Sequence, residues 1–103
     1  MRNGAYTSDG VDRVVMPLAN NPVPVYPRSM AAAGIETNFV VVFVVDSTGR
    51  VDNQTLEFPA TAQPVFADAV RRALGRSRYR PAEMGGRRVR QLVQQEFVFR
   101  LEK

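Results

Sequence analysis

Seven consecutive residues, Phe39-Val40-Val41-Val42-Phe43-Val44-Val45, are all β-branched or aromatic. Such side chains are stiff in a helix and pack well on a pleated surface, and the run is far shorter than the ~18 apolar residues of a membrane helix. Thr37 to Asp46 is therefore the strongest strand of the chain. Alternation gives Phe39, Val41, Phe43 and Val45 to the core face and Val40, Val42 and Val44 to the other. Three adjacent valines in water would be an unusual patch. That second face is expected to be covered by the N-terminal arm around Val11 to Leu18, or by a second copy of the domain in a homodimer.

The rest of the pattern builds a small mixed domain around this strand. Ser47-Thr48-Gly49 supplies a turn, and Arg50 to Phe58 returns as a second strand. Asp46 and Asp52 flank the turn without the alternating carboxylates of a calcium loop, so no metal is expected there. Pro59 and Thr61 to Gln63 break the pattern ahead of a helix starting near Pro64, with Thr61 or Gln63 close to its N-cap and Gly75 at its end. Phe66, Ala69, Val70, Ala73 and Leu74 form its buried stripe, while Asp68, Arg71, Arg72 and Arg76 face water. A shorter helix runs from Pro27 to Ala33, closed by Gly34 and Ile35 in a left-handed cap.

Arg88 to Leu101 reads as one long strand, with Val89, Val93, Phe97, Phe99 and Leu101 on the buried face and Arg90, Gln94, Glu96 and Arg100 on the other. Gln91 and Gln95 interrupt its buried row, which suggests a bulge or an end of the core near them. Residues 1–21 read as an extended arm or linker and 22–103 as the domain. Within the arm Val11 to Leu18 could form a short strand that Pro17 restricts to an edge.

At 103 residues, 45% of them hydrophobic, the chain suits one core. It has no Cys and no His, and its one Lys is Lys103. This removes most general bases, metal ligands and Schiff-base formers. Ser8, Ser29, Ser47 and Ser77 each read as a cap or turn residue, so neither an enzyme nor a cofactor is expected.

Charge is uneven although the total is only +4: residues 1–70 carry four Arg against seven carboxylates, and residues 71–90 carry eight Arg against Glu83. The basic set is Arg71, Arg72, Arg76, Arg78, Arg80, Arg87, Arg88 and Arg90. It reads either as a solvated face or as a surface for an acidic partner, and in the second case it should aid encounter more than folding. Nucleic acid is not an expected partner. Sheet-based binders stack bases on exposed aromatics, and here Phe39, Phe43, Phe97 and Phe99 fall in the core.

Several local motifs, in order, resemble the TonB C-terminal domain family over roughly residues 22–101. They are Pro24-Val25-Tyr26-Pro27 before a small-residue helix, Gly34-Ile35-Glu36, Phe43 to Asp46 with Gly49-Arg50-Val51-Asp52-Asn53, Arg78-Tyr79-Arg80-Pro81-Ala82, Gly86, and Phe97-Val98-Phe99-Arg100-Leu101. Thr37 departs from a common Gly, and Ser77 from a frequent Trp. The resemblance implies an α+β two-layer sandwich, with a three-stranded antiparallel sheet, both helices on one face, the first strand in the middle and the last at an edge.

By the same resemblance the chain belongs in the periplasm, tethered to the inner membrane by an N-terminal helix not present in it, and works with the ExbB and ExbD motor through that missing segment. Its implied partner is a TonB-dependent outer-membrane receptor, whose TonB box pairs with the last strand. The implied site is the free edge from Gln91 to Phe99, carried by Gln91, Leu92, Gln94, Gln95, Glu96, Phe97 and Val98, with Val25 and Tyr26 flanking. Either Gln94, Glu96 and Val98 or Gln95 and Phe97 direct their backbone groups outward, and sequence leaves that parity open. A TonB- or TolA-like appendage on another envelope or sensor protein is the alternative reading.

Overall fold

Described residues run from 4 to 102 in the computed structural model; residues 1–3 and 103, and with them Arg2 and Lys103, lie outside the described residues. In chain order the elements are β1 (Met16–Pro17), α1 (Arg28–Ala32), β2 (Thr37–Val45), β3 (Val51–Glu57), α2 (Pro64–Gly75), β4 (Tyr79–Arg80), β5 (Ala82–Met84), β6 (Arg87–Val89) and β7 (Gln91–Phe99). A 3-10 turn at Ser8–Gly10 precedes them.

The valine-rich run becomes the middle strand. β2 lies between β3 and β7, antiparallel to both, and its odd residues Phe39, Val41, Phe43 and Val45 are at most 6% exposed. Phe66, Val70 and Leu74 of α2 join them in one core with Phe97 and Phe99 of β7. Ala67 is buried and Ala69, expected in the buried stripe, is only half-buried, so the stripe is turned slightly from the one its periodicity gives. Pro64 opens α2, where a missing N–H costs nothing, and Gln63 stands at the N-cap position without a side-chain bond. α1 closes in a Schellman cap: Gly34 adopts φ +71°, its N–H donates to Ala31 O, and Ile35 N–H donates to Met30 O at 2.9 Å.

The C-terminal strand differs from the expected one. The long final strand is broken at Arg90. β6 pairs with β5 across the Gly85-Gly86 turn, whereas β7 pairs with β2 in unbroken register from Gln91 to Phe99. The ladder with β2 ends at the Val45–Gln91 pair, where β2 itself ends; Arg90 lies just before it, its carbonyl accepting Tyr6 N–H and its guanidinium paired with Asp52 at 3.1 Å. Leu101 lies beyond the strand, its N–H bonded to the Glu36 carboxylate. The sheet's irregularity falls in β3, opposite Val42 and Val44, and not in β7.

The arm does not run over the valine face either. Arg13 bridges Glu83, Met16 and Pro17 pair with Arg80 and Tyr79, and Leu18 N–H donates to Arg78 O, so it follows residues 78 to 84. Proline's missing N–H confines β1 to a two-residue pairing. The valines divide among themselves: Val44 is buried beside Leu92, Val42 is half-buried, and Val40 is 47% exposed.

Candidate functional site

Backbone parity along β7 follows from two hydrogen bonds. Leu92 N–H donates to Tyr6 O at 2.8 Å, away from β2. Val44, opposite Leu92, sends its own N–H to Thr55 Oγ1 on the β3 side. The 44/92 pair is thus a non-hydrogen-bonded one, and alternation over an unshifted register makes 42/94, 40/96 and 38/98 the same. Gln94, Glu96 and Val98 therefore direct their backbone N–H and C=O outward, while Gln95 and Phe97 direct theirs into β2. Among the described residues no strand pairs with that outward row.

The open row borders a groove of about 490 Å³. Its floor includes Ala73, Leu74 and Ser77 at the end of α2, with Tyr79, and its far wall is Asn21 to Pro24. Ser77 fits this floor because its hydroxyl donates to Ala73 O, which satisfies a buried polar group. Asn21 fixes the wall: its side chain donates to Arg78 O at 2.9 Å and accepts Arg78 N–H at 2.8 Å, an imitation of a strand bridge. Burial pushes the Tyr79 phenol up from its ordinary value, keeping it a neutral donor to Gln95 Oε1.

The expected site residues separate on this geometry. Gln94, Gln95, Glu96, Phe97 and Val98 all border the groove. Gln91 and Leu92 lie at its guarded end. Gln91 is 3% exposed, its Oε1 accepts Val15 N–H, and the outward N–H of Leu92 is already used by Tyr6. The open edge is therefore shorter than Gln91 to Phe99. Tyr26 and Val25 are not in the lining of this groove, although Tyr26 packs on Phe99, which is. The Tyr26 ring meets Phe99 and Phe66 edge-on at 5.5 and 5.9 Å, its hydroxyl donates to Ile35 O, and with Val25 it lines an adjoining groove between α1 and α2 that shares Pro22, Val23 and Ala73 with the first. Sequence reasoning missed Tyr6 and Asn21, because a single bridging residue leaves no periodic trace.

The basic set also divides. Arg72 and Arg76 join Arg28 along the α1–α2 groove, Arg72 with its ion pair to Asp68 at 3.3 Å. Arg71 lies over the Phe58 ring, 5.0 Å from its centroid. Arg78 is held by Asn21, Arg80 is exposed on β4, and Arg87 and Arg88 are exposed on the β5–β6 hairpin. Arg90 is half-buried against Asp52. Among the described residues no three His, Cys, Asp or Glu side chains converge on a point suited to a metal.

Residues 22–101 match the model of the Gram-negative bacterial TonB protein C-terminal family. The chain belongs to the TonB C-terminal domain family. Protein TonB of Pseudomonas aeruginosa is 38% identical over 93 residues, which cover 89% of this chain and 26% of that protein. The chain thus spans about a quarter of the length of that relative. The solution structure of the Pseudomonas aeruginosa TonB C-terminal domain superposes with a TM-score of 0.69 at 35% identity, covering 95% of each chain. The α+β sandwich with its three-stranded antiparallel sheet is the TonB C-terminal architecture, and within it β7 occupies the sheet edge.

Proposed function

We propose that this chain is the receptor-capturing domain of a TonB-type energy transducer, with residues 22–103 as the capturing unit and residues 1–21 as an arm packed on it. It takes an extended N-terminal segment of an outer-membrane receptor, the TonB box, as a fourth strand on β7. The observation that carries this reading is the outward row of Gln94, Glu96 and Val98 above a groove with an apolar floor. Backbone pairing gives affinity with little demand on side chains, so one domain can serve several receptors. A segment outside this chain would tether the protein to the inner membrane and couple it to ExbB and ExbD, placing this domain in the periplasm. The task is mechanical and needs neither catalysis nor a cofactor.

Proline scanning tests the edge directly. Gln94→Pro removes an N–H that points into the groove, whereas Gln95→Pro removes one directed at Val41. By circular dichroism the first variant should melt close to the parent, and in a titration with a receptor-derived TonB-box peptide it should lose capture. The second should lose roughly 2–3 kcal/mol of stability, because it orphans a buried carbonyl in the central strand. If both variants fold and bind like the parent, strand addition at β7 is wrong.

A further inference from the structure

Backbone pairing has a weakness that the arm addresses. A strand added through main-chain bonds alone can slip by two residues and recover every bond, because the side-chain period is two. Something outside the ladder has to choose the register. At the start of β7 the first outward groups are already taken: Tyr6 N–H donates to Arg90 O at 2.9 Å, and Tyr6 O accepts Leu92 N–H at 2.8 Å. Tyr6 runs parallel to Gln91 at this bridge, and the chain then turns away through Ser8–Gly10. It therefore blocks the start of the edge without covering the rest.

The block is anchored well beyond one bridge. Ala5 is fully buried, Val15 N–H donates to Gln91 Oε1, Asp12 and Arg13 N–H both donate to Glu83 O, and Asp12 Oδ2 accepts Gly85 N–H at 2.8 Å. The same arm then forms the groove's far wall, where Pro22 and Pro24 have no N–H and cannot zip onto β7 themselves.

We propose that Tyr6 is a register stop: by taking the Arg90 carbonyl and the Leu92 N–H, while the Leu92 carbonyl accepts Gln91 Nε2 at 3.3 Å, it restricts an incoming peptide strand to Gln94 through Val98. That open stretch is ~13 Å of strand, enough for about five peptide residues. The inference rests on strand addition at β7 and goes beyond it, since it makes the arm a specificity element of the captured segment. The ligand is an extended peptide whose end abuts the Tyr6 backbone, and it has one register.

Amide exchange with a nitroxide-labelled peptide tests this. The probe is a synthetic receptor N-terminal segment carrying the label at one terminus, added to the full chain. In the free protein the Tyr6 and Leu92 amides should exchange about tenfold or more slowly than those of Gln94, Glu96 and Val98. With peptide bound, the last three should become protected, Tyr6 and Leu92 should stay protected, and the label should broaden a single set of β7 resonances. Deleting residues 1–10 should expose the Leu92 amide in the free protein. In the complex, that deletion should let the label broaden a second set two residues away.

Loss of Tyr6 protection on binding in the full chain would show the arm to be a displaced competitor and would overturn the stop. This readout stands even if the deletion does not fold. A single unchanged register in the folded deletion would overturn it as well. No protection at Gln94, Glu96 and Val98 in either protein would instead remove strand addition itself, and the stop with it.

Discussion

The two edges of this three-stranded sheet are built in opposite ways. β3 is irregular. Its pairing with β2 shifts between Val42 and Val44, the Asp52 carboxylate accepts Gln54 N–H, and Thr55 Oγ1 donates to Asp52 O while accepting Val44 N–H. Bulging and satisfying itself with its own side chains, β3 offers poor pairing to another strand. β7 keeps an unshifted register over nine residues, and between Gln94 and Val98 its outward groups meet no strand among the described residues. One edge of the sheet is thus blunted and the other is left regular beside a groove. Lesions on the β3 side should therefore be read in stability, and lesions on β7's outward side in binding.

The largest effect should come from the β2–β3 turn. Gly49 has φ +89°, and a Cβ there would meet Tyr79 O at 2.1 Å, while its own carbonyl accepts Tyr79 N–H at 2.8 Å. Gly49→Ala adds a left-handed strain to a backbone clash that no rotamer relieves. It should cost about 3 kcal/mol or more, a drop in Tm of more than ~10 °C by thermal melting. A variant that melts like the parent would mean the turn can move away from Tyr79, and the stable side of the comparison would be lost.

A second substitution isolates the edge chemistry of β3. Thr55→Val keeps the shape but removes the hydroxyl that accepts Val44 N–H in a buried setting. An orphaned buried donor costs about 1–3 kcal/mol, so chemical unfolding should show that loss with an unchanged slope. Peptide capture by the folded fraction should be unaltered. Impaired capture at full folding would couple the two edges and blunt the contrast between them.

What the sequence made legible followed strong periodicity. The run Phe39 to Val45 announced a strand and its buried face, its place in the middle came only from the family resemblance, and Phe66 to Leu74 announced the helix that covers it. The break at Arg90 was illegible, because alternation continues straight through it; the ladder ends there because β2 ends at Val45, opposite Gln91. Gln91 and Gln95 were visible as anomalies in an apolar row. Their partners, the Val15 amide and the Tyr79 hydroxyl, are 76 and 16 residues away and leave no local mark. Valine parity on β2 was right, but alternation alone gives no sign that Val44 is buried while Val40 is open.

Acid should weaken the β3 side. Burial alone would raise the Asp46 carboxyl, but hydrogen bonds from the Thr48 hydroxyl and the Arg50 and Thr48 amides, with the Arg90 charge, outweigh it and hold the group below its usual 3.8. A lowered folded pKa stabilises above the unfolded value, and that contribution fades as pH falls through the folded one. Thermal melts between pH 7 and pH 3 should therefore fall below about pH 4. Asp46→Asn should start lower and show a shallower fall. Identical acid profiles for the two proteins would take Asp46 out of the account.

The smallest effect on stability should come from the β5–β6 hairpin. Arg87 and Arg88 are exposed there, whereas Arg90 is half-buried against Asp52, so the basic set has to be divided before it is tested. Replacing Arg87 and Arg88 together with Gln should change stability by less than about 0.5 kcal/mol, because both side chains are exposed on the hairpin and neither packs in the core. Exposed like charges act instead on the approach of an acidic partner, over a Debye length of ~8 Å at physiological salt. Stopped-flow mixing with an acidic receptor peptide should show slower association for the double variant at low salt. The two proteins should converge as salt rises. Arg90→Gln is the control, since losing its pair with Asp52 should lower the melting temperature and mark that arginine as part of the β3 side. If the Arg87/Arg88 variant loses stability instead, the hairpin is structural, and the charge asymmetry of the chain says nothing about partners.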